Sequence, residues 1–226
     1  MYITVSGIEI ELIRKSIKNM HLYVLRPDGK VRITAPKTLS EKRIIEFVES
    51  RAEWILKQRE KIDAEPKKPE ITYSSGDILT IFGKPYALEI IDGKKSDFFF
   101  CLGKATLICK PNSTKDEREK IIEKALRASL NEKIAPILEK WENITGLKSS
   151  SFQLKKMKTR WGTCNTRTKK IWLNFELCRK SDECIEYVIL HELTHLKVPN
   201  HGKDFSDFMD RYMPYWREIR RTLNER

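Results

Sequence analysis

The sequence lacks the features of a membrane or secreted protein. No apolar run approaches the roughly 20 residues that are needed to cross a bilayer. Residues 1–10 alternate in polarity instead of forming the apolar core of a signal peptide. The five cysteines form no C-x-x-C pair, and their odd number is typical of reduced thiols. We therefore expect a cytoplasmic protein with no membrane partner.

The chain has fewer acidic residues than basic ones. The chain of 226 residues has 44 Lys and Arg against 32 Asp and Glu, which gives a formal charge of +12 and an isoelectric point of about 9.4. Such a surface favours an anionic partner, and nucleic acid is one candidate. A hydrophobic fraction of 40% with five tryptophans is typical of a folded protein rather than a disordered one. No repeat or low-complexity tract is visible.

Histidine is scarce, and its placement is the most informative feature of the chain. Of four histidines, three lie within eleven positions, at His191, His195 and His201. The first two form H-E-x-x-H with Glu192, and helical spacing puts their imidazoles on one face. This pattern is typical of zinc hydrolases, in which the imidazoles bind Zn²⁺ and the glutamate accepts a proton from water. Three protein ligands and one open position are expected of a catalytic site rather than a structural one.

The residues around the motif predict a helix that supports this site. Ser181 is a candidate N-cap and is followed by two acids, which the positive end of the helix dipole favours. Pro199 ends the helix, so that His201 can return toward the metal. An apolar stripe at helical spacing predicts one buried face: Ile185, Ile189, Leu193 and Leu196. The alternative is a surface helix that carries two histidines by chance, and the third histidine argues against it.

The rest of the chain predicts an α+β fold. Residues 2–35 and 77–110 alternate in polarity between turn signals, as strands do, and residues 114–141 have a helical period. We predict an antiparallel amino-terminal sheet followed by a helical core that carries H-E-x-x-H. The predicted division is a mainly β region over residues 1–110 and a hydrolase core over residues 111–226, which can form one compact unit. The charged segment Asp63–Glu70, with two prolines, is a predicted linker or exposed connection.

A basic stretch precedes the metal motif. Between Ser151 and Phe175 there are seven Lys or Arg and no acid, with Trp161 and Trp172 among them. Interleaved cations and aromatic rings can bind nucleic acid, and the candidate contacts are Lys155, Lys156 and Lys158. The alternative is a solvated positive face with two core tryptophans.

Within this stretch, residues 160–164 read R-W-G-T-C and predict a turn centred on glycine. This turn can place Arg160 near the metal, or it can form a buried hydrogen-bonded corner. Cys164 could be taken for a metal ligand or a nucleophile. Because three histidines are already available, we interpret Cys164 as a small packed thiol.

Several segments together resemble the YgjP-like metallopeptidase family, which belongs with the SprT-like and WLM zincins. They are residues 158–164 (K-T-R-W-G-T-C), Leu173, Asn174, Leu177, residues 187–196 (Y-V-I-L-H-E-L-T-H-L) and residues 200–205 (N-H-G-K-D-F). The resemblance covers most of the chain and is most specific over Met157–Phe205. The family often has serine where this chain has Thr163.

The resemblance implies a zincin-like core, with zinc on His191, His195 and His201 and with Glu192 as the base. From these segments we also take Arg160, Trp161 and Asn174 as candidate contacts to the substrate or the transition state. The related SprT-like proteins act on DNA-bound proteins, which is compatible with the positive charge but is an analogy between folds.

We predict a metallopeptidase that binds one zinc ion per chain, with another divalent metal as an alternative, and that hydrolyses a polypeptide. An extended substrate is predicted to add to the edge of the Lys170–Phe175 strand. A zinc-stabilised nucleic-acid-binding module without turnover is one alternative, although it has no need of Glu192. A hydrolase of a non-peptide amide is another. The metzincin pattern has the same histidine spacing, but it requires glycine where this chain has Val198.

Overall fold

A computed structural model describes residues 1–26, 28–64 and 71–224. The chain divides into two compact units, Met1–Pro69 and Glu70–Arg226. This boundary precedes the predicted one at residue 110, because the strands of residues 78–109 share a hydrophobic core with the helices of the second unit. Of the predicted linker, Asp63 and Ala64 end a helix, and residues 65–70 lie outside the described residues. No helix among the described residues is long and apolar enough to span a membrane.

The first unit is a four-stranded sheet followed by two helices. Its elements are β1 (Tyr2–Val5), β2 (Ile8–Lys15), β3 (His21–Leu25), β4 (Lys30–Pro36), α1 (Glu41–Glu49) and α2 (Ala52–Ala64). The strand order is β1-β2-β4-β3, and β2 and β4 are parallel while the other pairs are antiparallel. The α+β class is confirmed. The sheet is mixed rather than antiparallel, because β4 and not β3 lies beside β2.

The second unit begins with another four-stranded sheet and a long helix. These are β5 (Ile78–Ile81), β6 (Lys84–Asp92), β7 (Asp97–Cys101), β8 (Lys104–Cys109) and α3 (Lys115–Thr145). A capping box starts α3: Thr114 Oγ1 accepts from the Glu117 amide, and the Glu117 carboxylate accepts from the Thr114 amide. Six residues of α3 are buried and face the core at helical spacings of three or four: Ile122, Leu126, Leu130, Ile134, Leu138 and Trp141.

The two four-stranded sheets have the same topology. The order β5-β6-β8-β7 repeats β1-β2-β4-β3, with the same parallel central pair. The first hairpin of each sheet turns through two residues with positive φ, Ser6–Gly7 in one and Phe82–Gly83 in the other. Every second residue is buried along β4 (Val31, Ile33 and Ala35) and along the equivalent strand β8 (Ala105, Leu107 and Cys109), although Thr106 of β8 is buried as well. The chain therefore contains a structural repeat that the sequence analysis missed, since the copies share topology and turns rather than residues.

The remainder of the second unit holds the metal motif. It comprises β9 (Ser151–Lys155), β10 (Gly162–Asn165), β11 (Lys170–Asn174), a 3-10 helix (Phe175–Arg179), α4 (Asp182–Thr194), α5 (Lys203–Tyr212) and α6 (Trp216–Asn224). The three strands have the order β10-β11-β9. Because β11 is paired on both edges, the prediction that substrate adds to the Lys170–Phe175 strand is wrong. The edge strand beside α4 is β10.

Candidate metal centre

Three imidazoles converge where α4 ends and α5 begins. His191 lies in the last turn of α4, His195 is its C-cap residue, and His201 comes just before Gly202, the N-cap residue of α5. The possible ligand atoms of the three side chains all lie within 4.8 Å of one another. His191 Nε2 and His201 Nε2 are 2.9 Å apart. No other group of three potential metal ligands occurs among the described residues.

The return of His201 follows from the chain between the two helices. The Val198 amide donates to the Thr194 carbonyl at 2.8 Å, and the Gly202 amide donates to the Asn200 carbonyl at 2.9 Å, so the chain reverses tightly. Phe205, in the first turn of α5, is 2% exposed and packs against all three imidazoles. The distances from its ring centroid are 4.8 Å to His191, 5.0 Å to His195 and 4.8 Å to His201. Phe205 therefore provides an apolar surface against which the three imidazole rings pack.

Hydrogen bonds at Nδ1 orient two of the rings. His195 Nδ1 lies 3.2 Å from the Val198 carbonyl oxygen, which can only accept, so Nδ1 carries the proton and Nε2 has the free lone pair. His191 Nδ1 lies 3.3 Å from the Tyr187 hydroxyl, one turn earlier on α4. Metal-binding histidines usually have such a partner on the second nitrogen. The arrangement is the one expected of two ligands that bind through Nε2.

Burial keeps the imidazoles of His191 and His195 neutral. It lowers the pKa of His191 to about 3, with smaller contributions from the charges of His195, His201 and Arg220. Burial also lowers the pKa of His195, although the Val198 carbonyl opposes that change. Neutral imidazole is the form that binds a metal. His191 and His195 are therefore in the form that binds a cation at neutral pH.

Glu192 lies on the neighbouring face of α4, against β10. Its side chain is 5% exposed, and burial raises the pKa of its carboxyl to about 8, with the charge of Arg160 opposing the rise. A Cβ atom at Gly162 would lie 2.6 Å from both Cγ and Oε1 of Glu192. Position 162 therefore has to be glycine for the strand to pack this close to the carboxylate.

The triad opens into a cleft of about 530 Å³. One wall is β10 with the loop before it, the base is α4, and the other wall is α6. Arg160 and Trp161, two of the candidate substrate contacts, line this cleft. Trp161 Nε1–H donates to Asn224 Oδ1 at 3.2 Å and so connects the two walls. Cys164 also lines the cleft, and burial raises the pKa of its thiol to about 11.

The structure places Asn174 behind this wall rather than in the cleft. Its side chain is 4% exposed, and its amide group donates to the carbonyls of Met157 and Arg160 at 2.9 and 2.8 Å. Its Oδ1 accepts from the amides of Met157 and Glu176, each at 3.2 Å. Every polar atom of the Asn174 side chain therefore holds the backbone that presents Arg160.

The three candidate nucleic-acid contacts do not behave alike. All three lysines are exposed, but Lys156 Nζ also forms an ion pair with Glu123 Oε2 at 2.6 Å. None of the three lines the cleft. Trp161 and Trp172 are both partly buried. Nucleic-acid binding by this stretch stays a prediction, and it depends mainly on Lys155 and Lys158.

Three residues of the site were not assigned to it from the sequence: Tyr187, Phe205 and Arg220. Tyr187 precedes His191 by one helical turn, and that spacing could have identified it as a partner for the ligand. Arg220 comes to the cleft only because α6 packs against α4, where the Trp216 ring stacks on Tyr187 with a 6.3 Å separation of centroids and a 4° angle. No local sequence signal predicts that contact.

The comparison with protein families agrees with this chemistry. A family model described as YgjP-like, metallopeptidase domain, matches residues 18–226. No curated protein sequence matches the chain. Among solved structures, the metallopeptidase zymogen of Pyrococcus abyssi abylysin is similar at 21% identity and a TM-score of 0.38, over 40% of this chain and 90% of that one. The metallopeptidase zymogen of Methanocaldococcus jannaschii jannalysin is similar at 27% identity and a TM-score of 0.37, over 40% and 86%. TM-scores this low do not establish a shared fold.

Proposed function

The chain belongs to the YgjP-like metallopeptidase family, and from this premise we propose that it is a zinc-dependent peptidase. The proposed metal ligands are His191, His195 and His201, and the proposed general base is Glu192. The observation that carries the proposal is the convergence of three imidazoles within 4.8 Å at the base of a cleft. A buried carboxylate on the same helix completes the set of groups that hydrolysis requires.

The ligand set fits zinc. Imidazole suits Zn²⁺, and three protein ligands leave the open position that a catalytic site needs. When it is bound, the ion supplies a Lewis acid and lowers the pKa of water. Imidazoles also bind other divalent transition metals, so zinc is favoured by its prevalence at such sites rather than required by them.

The buried environment of Glu192 supports its proposed role as a general base. Its raised pKa means that the carboxyl can hold a proton near neutral pH, and a divalent cation nearby would lower that pKa toward the operating range. The carboxylate would accept a proton from the attacking water at one oxygen and later deliver it to the leaving amine. Tyr187 and the Val198 carbonyl would keep His191 and His195 oriented throughout.

The substrate is proposed to lie along β10. Within the described residues, β11 is the only strand that pairs with β10, and Gly162, Thr163 and Cys164 line the cleft. An extended peptide can add to such an edge through backbone hydrogen bonds. This placement would bring a peptide bond past Glu192 without requiring a particular side chain.

The decisive experiment compares wild type with Glu192→Gln in hydrolysis of an unfolded protein substrate. The substitution keeps the shape of the side chain and removes its basicity. We expect both proteins to contain the same amount of metal by elemental analysis, and we expect turnover to fall by about 10²- to 10⁴-fold in the variant. Equal rates at equal metal content would exclude Glu192 as the base.

A further inference from the structure

Two arginines of the cleft have no part in the hydrolysis proposed above. Arg160 approaches from the loop before β10, and Arg220 approaches from α6 on the opposite wall. Within the described residues, neither guanidinium has a hydrogen bond or an ion pair with the protein; the side-chain donors that reach these two residues bond to their backbone carbonyls. Arg217, on the same helix as Arg220, shows the contrast, because it forms a two-point ion pair with Asp210.

The backbone of both arginines is held firmly. Asn174 Nδ2 donates to the Arg160 carbonyl at 2.8 Å. Asn224 Nδ2 donates to the Arg220 carbonyl at 2.8 Å, and Asn224 Oδ1 accepts from Trp161. The wall that carries Arg160 is thereby joined to the wall that carries Arg220. These hydrogen bonds fix the backbone of Arg160 and Arg220 on opposite walls of the cleft, while both side chains are exposed to solvent.

Among the residues that the structure describes, the cleft offers these cations no free protein anion. Glu192 is the one acidic side chain of residues 1–26, 28–64 and 71–224 that lines it, and the proposed function requires that carboxylate for proton transfer. Both charges act on the reacting groups: that of Arg160 lowers the pKa of Glu192, and that of Arg220 lowers the pKa of His191 and of Tyr187. A bound divalent cation would make the cleft still more positive. An anionic group of a ligand would supply the counter-charge that the described residues of the cleft lack.

We propose that Arg160 and Arg220 bind a carboxylate of the substrate beside the hydrolysed peptide bond, so that the enzyme selects acidic peptides. This inference rests on the proposed function. The carboxylate can belong to an Asp or Glu side chain or to the free carboxyl end of the peptide, since both present the same planar pair of oxygens. A guanidinium matches that pair with two parallel N–H donors, which a lysine cannot do.

The first test measures binding and needs no turnover. Zinc-loaded Glu192→Gln protein is titrated by calorimetry with a short peptide of neutral residues that carries one Glu and has blocked termini. The same peptide with Gln replacing Glu is the reference. We expect the Glu peptide to bind about 10- to 100-fold more tightly, because hydrogen bonds to a charged group are the strong ones. Equal affinities would overturn the proposal even if the wild type hydrolyses peptides.

The second test assigns the preference to the two arginines. Arg160→Gln and Arg220→Gln, each combined with Glu192→Gln, should lose most of the preference for Glu. Arg221→Gln is the matched control, since Arg221 is exposed on α6 and does not line the cleft. It should keep the full preference. A preference that survives in both cleft variants, or that disappears in the Arg221 control, would show that overall positive charge and not this pair is responsible.

A third arm separates the two sources of the carboxylate. The Gln peptide is compared with a free carboxyl end and with an amidated end. Tighter binding of the free acid, lost in Arg160→Gln or Arg220→Gln, would identify terminal carboxylate recognition. If wild type then hydrolyses none of these peptides while the binding preference holds, the peptidase assignment fails and the carboxylate site stands.

Discussion

The two four-stranded sheets of this protein share one topology and differ in what their first turns contact. In the second unit, a Cβ at Gly83 would lie 3.0 Å from Ser181 Cα, and the Phe82 amide donates to the Cys178 carbonyl at 2.8 Å. That turn therefore braces the start of α4, the helix that carries His191 and Glu192. At the equivalent turn of the first unit, a Cβ at Gly7 would meet nothing within 4 Å.

A shared sheet topology is therefore not enough to make a sheet support the metal site. The second sheet supports the site because its Phe82–Gly83 turn contacts the N-terminus of α4. The second sheet shares its core with α3 and α4, whereas the first sheet packs on α1 and α2 in a core of its own. We infer that the first unit can change with little effect on the metal centre, and that the second cannot.

The largest contrast is expected between histidines of the two units. His201→Ala removes a proposed ligand, and His21→Ala removes the one histidine of the first unit, in β3. Loss of an outer partner of a ligand typically weakens metal binding by about 10- to 100-fold, so loss of the ligand itself should weaken it by more. Titration against a competing chelator measures both variants. If the two bind metal equally well, His201 is not a ligand.

A second contrast uses the two equivalent turns. Alanine at either Gly7 or Gly83 is strained by positive φ, at a cost of about 1–2 kcal/mol. Only Gly83→Ala also collides with the backbone of Ser181, and overpacking adds about 1–3 kcal/mol. We expect the free energy of unfolding from chemical denaturation to fall further for Gly83→Ala. Metal affinity should fall with it, whereas Gly7→Ala should leave metal affinity unchanged. Equal losses in the two variants would remove the distinction between the turns.

The smallest effect is expected from removing the first unit altogether. A chain that begins at Glu70 keeps the complete hydrophobic core of the second unit and all three histidines. We expect it to fold and to bind metal with an affinity within a few-fold of the intact chain, although its solubility can change. Far-ultraviolet circular dichroism and the same chelator titration provide the measurements. Loss of metal binding in a folded fragment would contradict the independence of the two units.

The sequence predicted the parts of the site that depend on spacing along the chain. H-E-x-x-H needs only a helix to bring His191 and His195 together, and Pro199 signals the end of that helix before His201. The α+β class followed in the same way from alternating and helical periods. These features are local, so a single sequence contains them.

What the sequence did not predict depends on contacts between distant segments. Strand order is one example: nothing in Lys170–Asn174 shows that both of its edges are paired, so the substrate was assigned to β11 instead of β10. Arg220 is another, because its place in the cleft depends on the stacking of Trp216 on Tyr187. The repeated sheet was hidden because Ser6 and Phe82 occupy the same turn with different side chains.

X-ray absorption at the zinc edge of the zinc-loaded protein can show whether three imidazoles hold the metal and leave one position open. We expect three nitrogen ligands at about 2.0–2.1 Å, with an oxygen ligand in the remaining position. A sulfur ligand at about 2.3 Å would instead place Cys164 on the metal. That result, or fewer than three imidazole nitrogens, would contradict the site described for His191, His195 and His201.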